Sequence, residues 1–233
     1  MLFRSELPDD YFLRYAADEI VWHTVAIASA SPEDLPLVLL QPQTQRESAE
    51  IFVYTANKGP IFSLCTATLD QLGLTILDAR IMTTRHDDYV LSSFQVLEQS
   101  GEPIRDLCRE DHVRHALQNN LRNQFAKPHQ NLNRQSRQAR HFPIPSNIQF
   151  HHDPQGRHTL IELVTTDRAG LLYQIGQVFV NEGISLHNAK ITTIGSRVED
   201  IFYVTDAQNR PIVDPEHQNR IGNELLAILE SES

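Results

Sequence analysis

IFVYTANKGPIFSLCTATLDQLGLTILDARIMTT, residues 51–84, aligns without a gap with IELVTTDRAGLLYQIGQVFVNEGISLHNAKITTI, residues 161–194. Ile51 falls on Ile161, Thr55 on Thr165, Gly73 on Gly183, Ala79 on Ala189, Ile81 on Ile191 and Thr83 on Thr193. Chemically similar pairs lie between them: Asn57 with Asp167, Lys58 with Arg168, Arg80 with Lys190. After a two-residue slip in the next turn, Phe94 meets Phe202, Val96 meets Val204, and Pro103-Ile104 meets Pro211-Ile212. Two copies of one module explain this most economically.

Each copy reads as the same order of elements. Ile51–Thr55 and Leu160–Thr165 are β-branched-rich runs that end in polar turn residues, the pattern of short strands. Pro60 or Gly170 then opens a stretch with apolar residues at helical spacing: Ile61, Cys65, Leu69 and Leu72 in the first copy, Leu171, Ile175, Val178 and Phe179 in the second. Both predicted helices stop at a glycine, Gly73 or Gly183, suited to a left-handed terminator. Two strands follow as a hairpin, Leu74–Thr84 with Tyr89–Leu97, and Ile184–Ile194 with Asp200–Thr205. A closing helix ends each unit. In the second copy Asp214 is its expected cap, Pro215 its first residue, and Ile221, Leu225, Ile228 and Leu229 its buried stripe. The order βαββα predicts an α+β fold of ferredoxin-like type, its sheets packed by helices. Such a unit is usually closed by a further strand. Asn147–His152 precedes the second copy and Ile20–Ala28 the first, and the copies are expected to complete each other's sheets.

The composition is that of an ordinary globular chain: 233 residues, 40% hydrophobic and 21% charged. No apolar run approaches the roughly 18 residues of a membrane span, and the N-terminus MLFRSELPDD lacks a secretory h-region. A net charge of -10 opposes nucleic-acid binding. The stretch from Arg122 to Arg140, with Lys127, Arg134 and Arg137, is locally basic and reads as a solvated linker rather than a docking patch for an acidic partner. Cys65 and Cys108 stand far apart, which fits a reducing cytoplasm and no disulfide framework. No spacing of Cys and His suggests zinc, and His86-Asp87-Asp88 and His151-His152-Asp153 lack the convergent partners a metal needs. No Ser/His/Asp set can be nominated, so neither catalytic nor metal residues are expected.

DRAGLLYQIGQVFVNEGISLHNAKITTIGSRVEDIFYVTD, from Asp167, resembles the second ACT module of the bacterial bifunctional PII uridylyltransferase/uridylyl-removing enzymes. DYFLRYAADEIVWH, from Asp10, resembles that family's entry into its first ACT module, and RHFPIPSNIQF, from Arg140, its connection between modules. The resemblance implies two tandem ACT modules, at residues 49–126 and 159–233. Residues 1–48 would connect from an upstream catalytic part, and 127–158 would hold the basic linker and a lead-in strand. It implies a cytoplasmic regulatory region that senses L-glutamine for nitrogen-assimilation signalling, acts indirectly on PII signal protein, and associates with upstream catalytic modules or as a homodimer. The nucleotidyltransferase and metal-dependent hydrolase parts of that family are missing from this chain, so Mg2+ and UTP belong to those parts and no cofactor or activity of its own is expected. The alternative is a structural or dimerisation module without ligand.

The family's Asp-Arg-Pro-Gly turn is here Asp167-Arg168-Ala169-Gly170, and in the first copy Asn57-Lys58-Gly59-Pro60. A strand-to-helix turn presents unpaired amides and the positive end of the helix dipole, and so can hold a carboxylate. Asp167 could then accept from a ligand's ammonium. The resemblance adds the polar residue after the helix-ending glycine, Ser185, with Thr75 in the first copy. The candidate effector residues are therefore Asp167, Arg168, Ala169, Gly170, Leu171, Leu172 and Ser185, with Asn57, Lys58 and Gly59 at the first turn. Each has a plainer role open to it, Asp167 as a helix cap above all.

Overall fold

A computed structural model describes residues 6–42, 47–86, 88–123, 144–153 and 155–230. The basic stretch between Asn123 and Ile144 lies outside them, as do Asp87 and Pro154. Two short helices come first, α1 (Asp9–Arg14) and α2 (Ala17–Ser29). The first repeat follows as β1 (Leu37–Gln41), β2 (Ala49–Ala56), α3 (Ile61–Gln71), β3 (Leu74–Thr83), β4 (Tyr89–Glu98) and α4 (Leu107–Arg122). The second comprises β5 (Asn147–His152), β6 (Thr159–Thr166), α5 (Leu171–Asn181), β7 (Ser185–Lys190), the two-residue β8 (Thr193–Ile194), β9 (Arg197–Thr205) and α6 (Pro215–Glu230).

The strands form one sheet in the order β1-β2-β4-β3-β7-β9-β6-β5, with β8 on β9. The two repeats meet at β3 and β7, which pair antiparallel with Ala79 opposite Ala189. Those residues are also equivalent in the sequence alignment. When an antiparallel pairing sets a residue opposite its own counterpart, a pseudo-two-fold axis passes through that pair, as in an isologous dimer interface. The same irregularity recurs in both copies, a register shift between Ile76 and Asp78 and another between Leu186 and Asn188. Gly73 and Gly183 both end their helices at positive φ, 72° and 65°.

Helices α3 to α6 cover one face of the sheet around a core that joins Ile51, Leu69, Phe94 and Leu117 to Ile161, Ile175, Phe202 and Leu225. At the seam α3 and α5 pack against each other. They come so close at Gly176 that a Cβ there would collide with Ser63 Oγ and lie 3.0 Å from Phe62 Cδ1. The opposite face differs between repeats. Under the first, α1 and α2 bury Leu7, Tyr11 and Tyr15 against Phe52, Tyr54, Met82 and Leu91. Every residue of β2 except Ala56 is consequently buried, whereas β6 alternates strictly between buried and half-buried positions.

Ile20–Ala28 is therefore not the strand that its β-branched residues suggest. It lies within α2, where Ile20 and Ile27 face the sheet, His23 is buried, and Val21 and Val25 are 62% and 61% exposed. A seven-residue spacing puts Ile20 and Ile27 on one helical stripe. The added strand of the first repeat is Leu37–Gln41, paired along β2, and that of the second is Asn147–His152, paired along β6. Each repeat thus draws its fourth strand from the chain just before it, and the two sheets join edge to edge.

Candidate functional site

Two cavities flank the pseudo-two-fold axis, and each takes walls from both repeats. The first, about 310 Å³, sets Asp167, Arg168, Gly170, Leu171 and Leu172 of the second repeat against Gly73, Leu74, Thr75 and Ile76 of the first. The second, about 340 Å³, sets Asn57, Gly59 and Pro60 against Ile184, Ser185 and Leu186. Both lie at the small end of the range for ligand pockets. Ser185 is thus separated from the Asp167 turn and placed beside Asn57, while Thr75 joins Asp167. The swap follows from the antiparallel β3–β7 pairing, which brings the start of each repeat's inner strand to the other repeat's turn. Ala169 and Lys58 are not among the residues lining either cavity.

The turn before α5 is held by a residue the sequence reading missed. Gly170 is the N-cap of α5 at φ 76°, a conformation that favours glycine, and carries no side-chain cap of its own. Its N–H donates instead to Asp70 Oδ2 at 2.9 Å. Asp70 sits in the last turn of α3, where its charge opposes that helix's own dipole but complements the N-terminus of α5. A carboxylate from this chain therefore occupies one of the donors expected for a ligand's carboxylate. The amides of Leu172 and Tyr173 remain as first-turn donors. Arg168 turns away to donate to the carbonyl of Ile228 at 2.6 Å and to Gln174 Oε1, tying down the C-terminal turn of α6.

Asp200 is the other missed residue. It lies on β9, is fully buried, lines the first cavity and accepts the Thr192 amide through Oδ1 at 3.2 Å. Among the described residues its Oδ2 has no hydrogen-bond partner. Burial pushes the Asp200 carboxyl up to about 7, against the pull of the Thr192 amide and with a push from Asp167. Burial also raises Asp167, with the Arg168 amide opposing it. For Asp70, burial again raises the carboxyl, the Gly170 amide lowers it, and Asp167 raises it further. One signal for both missed residues was present in the repeat: Asp70 aligns with Val180, and Asp200 with Ser92. The equivalent cavity carries neither carboxylate, with Val180 in its wall and Asn57 in place of Asp167.

No group of three His, Cys, Asp or Glu side chains among the described residues is placed to hold a metal ion. His151 instead lies 3.2 Å from Glu162, and Asp153 3.3 Å from His158. No helix among the described residues is long and apolar enough to cross a membrane.

A paired βαββα fold with ligand-sized cavities at the seam defines an ACT-type regulatory module, and the ACT domain family model matches residues 159–222. A model of the uridylyltransferase GlnD fifth domain matches residues 5–26, which run through α1 into α2. The bifunctional uridylyltransferase/uridylyl-removing enzyme of Methylococcus capsulatus is 50% identical over 208 residues, 89% of this chain and 24% of that protein. Its counterpart from Stutzerimonas stutzeri is 39% identical over 233 residues, 98% of this chain and 26% of that protein. Nearly the whole chain is thus similar to one part of these enzymes, and it spans about a quarter of their length. A solved aspartate kinase from Synechocystis covers 91% of this chain and 31% of its own at 16% identity, with a TM-score of 0.42, too distant to bear on the fold.

Proposed function

We propose that the chain is the glutamine-sensing part of a PII uridylyltransferase/uridylyl-removing enzyme, and that glutamine binds in the cavity at the Asp167 turn. One observation carries the reading: that cavity is built from both repeats, so a ligand in it contacts two modules at once and biases how they sit together. A ligand shifts such an equilibrium only by its difference in affinity for the two arrangements. Helices α1 and α2 extend the path, because they pack on the back of the first repeat's sheet and lead toward the chain's N-terminus. Arg80 fastens this contact, donating to the Arg14 carbonyl at 3.0 Å beneath the Tyr15 ring. Catalysis, with its Mg2+ and UTP, belongs to upstream modules in the cytoplasm. Through them the sensor acts on PII protein, in an assembly that includes a homodimer.

Isothermal calorimetry of the chain with L-glutamine tests the reading. A saturable heat is expected, with binding at the Asp167 cavity stronger than at the Asn57 cavity. No heat with glutamine or any other common amino acid would leave the chain as a scaffold. In the second expected outcome, incubation with UTP, Mg2+ and PII protein gives no turnover above a buffer control.

A further inference from the structure

Asp200 Oδ2, fully buried and without a hydrogen-bond partner among the described residues, needs a reason. A buried polar group without a partner is costly, and the large majority in folded proteins are satisfied. The fold does not demand a carboxylate here, since the equivalent strand position in the first repeat is Ser92. The charged groups around Asp200 make the cost greater. Asp167 approaches from the turn before α5 and Asp70 from the end of α3, both lining the same cavity. Arg168, the cation of that turn, donates to the Ile228 carbonyl and to Gln174 Oε1, and Lys190 on β7 is exposed. Three carboxylates thus line the cavity, and the most deeply buried has an oxygen to spare.

We infer that Asp200 anchors the ammonium group of the bound amino acid, sharing it with Asp167, and so makes the cavity selective for ligands with a free primary ammonium. The inference rests on the amino-acid-sensing reading and names the group that enforces it. An ammonium has three donors, enough to satisfy Asp200 Oδ2 and Asp167 together. Its positive charge also offsets the mutual repulsion of the carboxylates. A deaminated analogue of the same shape offers neither, and sites built to pair a donor reject ligands that lack it. Because burial holds the Asp200 carboxyl near 7, ammonium binding below that pH must expel a proton. Affinity then rises with pH up to about 7 and levels off above it.

The test is calorimetry of the whole chain with L-glutamine and with 4-carbamoylbutanoate, which is glutamine without its amino group. The parent should prefer glutamine by about 10- to 100-fold, the range of one charge-assisted hydrogen bond. Asp200→Asn should lose a similar factor in glutamine affinity and leave the analogue's affinity nearly unchanged, so that the preference collapses. Asp200→Ser, which installs the residue of the equivalent position, serves if the amide variant does not fold. Should neither fold, the parent is titrated at pH 6.5 in buffers of different ionisation enthalpy, where proton release supports the anchor and its absence overturns it. If the variants keep the parent's glutamine affinity and preference, Asp200 is not the anchor while the sensing reading stands. If the parent binds neither glutamine nor any other amino acid, both fall together.

Discussion

Gly176→Ala tests the seam on which both cavities depend. Gly176 lies in α5, where alanine alone would stabilise the helix by about 1 kcal/mol. Here the new methyl would point into α3. It would overlap Ser63 Oγ and lie 3.0 Å from Phe62 Cδ1 and 3.4 Å from Ser63 Cβ. Ser63 Oγ can leave only by giving up its side-chain rotamer, and the Phe62 ring and the Ser63 Cβ stay unless the helices part. Overpacking of this kind costs about 1–3 kcal/mol. Set against the helix gain, a net loss of about 1 kcal/mol is expected, which for a chain of this size lowers Tm by about 2–4 °C. Urea and thermal unfolding measure it, and a double-mutant cycle locates it. Ser63 Oγ is buried without a hydrogen-bond partner among the described residues, so Ser63→Ala should cost little alone. Combined with Gly176→Ala it should recover at least about 0.5 kcal/mol of the loss. A Gly176→Ala protein as stable as the parent, or additivity in the cycle, would refute the close approach of α3 and α5.

Two further substitutions separate binding from capping at the same turn. Because the Gly170 amide is held by Asp70, Asp70→Ala should cost about 1 kcal/mol of stability as a lost cap. Asp167→Ala should leave the melting temperature nearly unchanged yet weaken glutamine binding by about one to two decades of Kd; the opposite pattern would make Asp167 the cap and void its binding role. Under α2, Glu50 is buried 3.9 Å from His23, facing Glu19, Arg80 and Gln95. Burial raises the Glu50 carboxyl well above the carboxylate range and lowers His23 to about 3. A raised carboxyl means the folded state binds more protons, so Glu50 subtracts stability as pH rises from the carboxylate range toward neutrality. His23 acts in the other direction, adding stability as pH rises from about 3 through the ordinary histidine value of 6.5. The two slopes oppose each other where they overlap. Glu50→Gln should therefore stabilise the chain at neutral pH and steepen the rise of stability with pH below 6.5, as followed by urea midpoints across pH; an unchanged profile would rule out Glu50 as a buried acid.

The sequence by itself carried the repeat, and with it most of the architecture. The gapless match of residues 51–84 with 161–194 set the βαββα order, because apolar spacing and glycine terminators are local properties that a chain writes down once per element. The Asp167 turn was legible for the same reason: strand, polar turn and helix start are consecutive. Ile20–Ala28 was misread because a β-branched run records burial preference, and the sheet that imposes its helical stripe lies on β2 to β4, later in the chain. The site was only half legible. Asp70, Thr75 and Asp200 reach the Asp167 turn from three other elements, and nothing local says that an antiparallel β3–β7 pairing will exchange the walls of two cavities. That exchange is a property of the joined sheet. It exists only once Ala79 and Ala189 face each other, and it decides that one cavity is lined by three carboxylates while its twin has Asn57 and Val180 at the positions of Asp167 and Asp70.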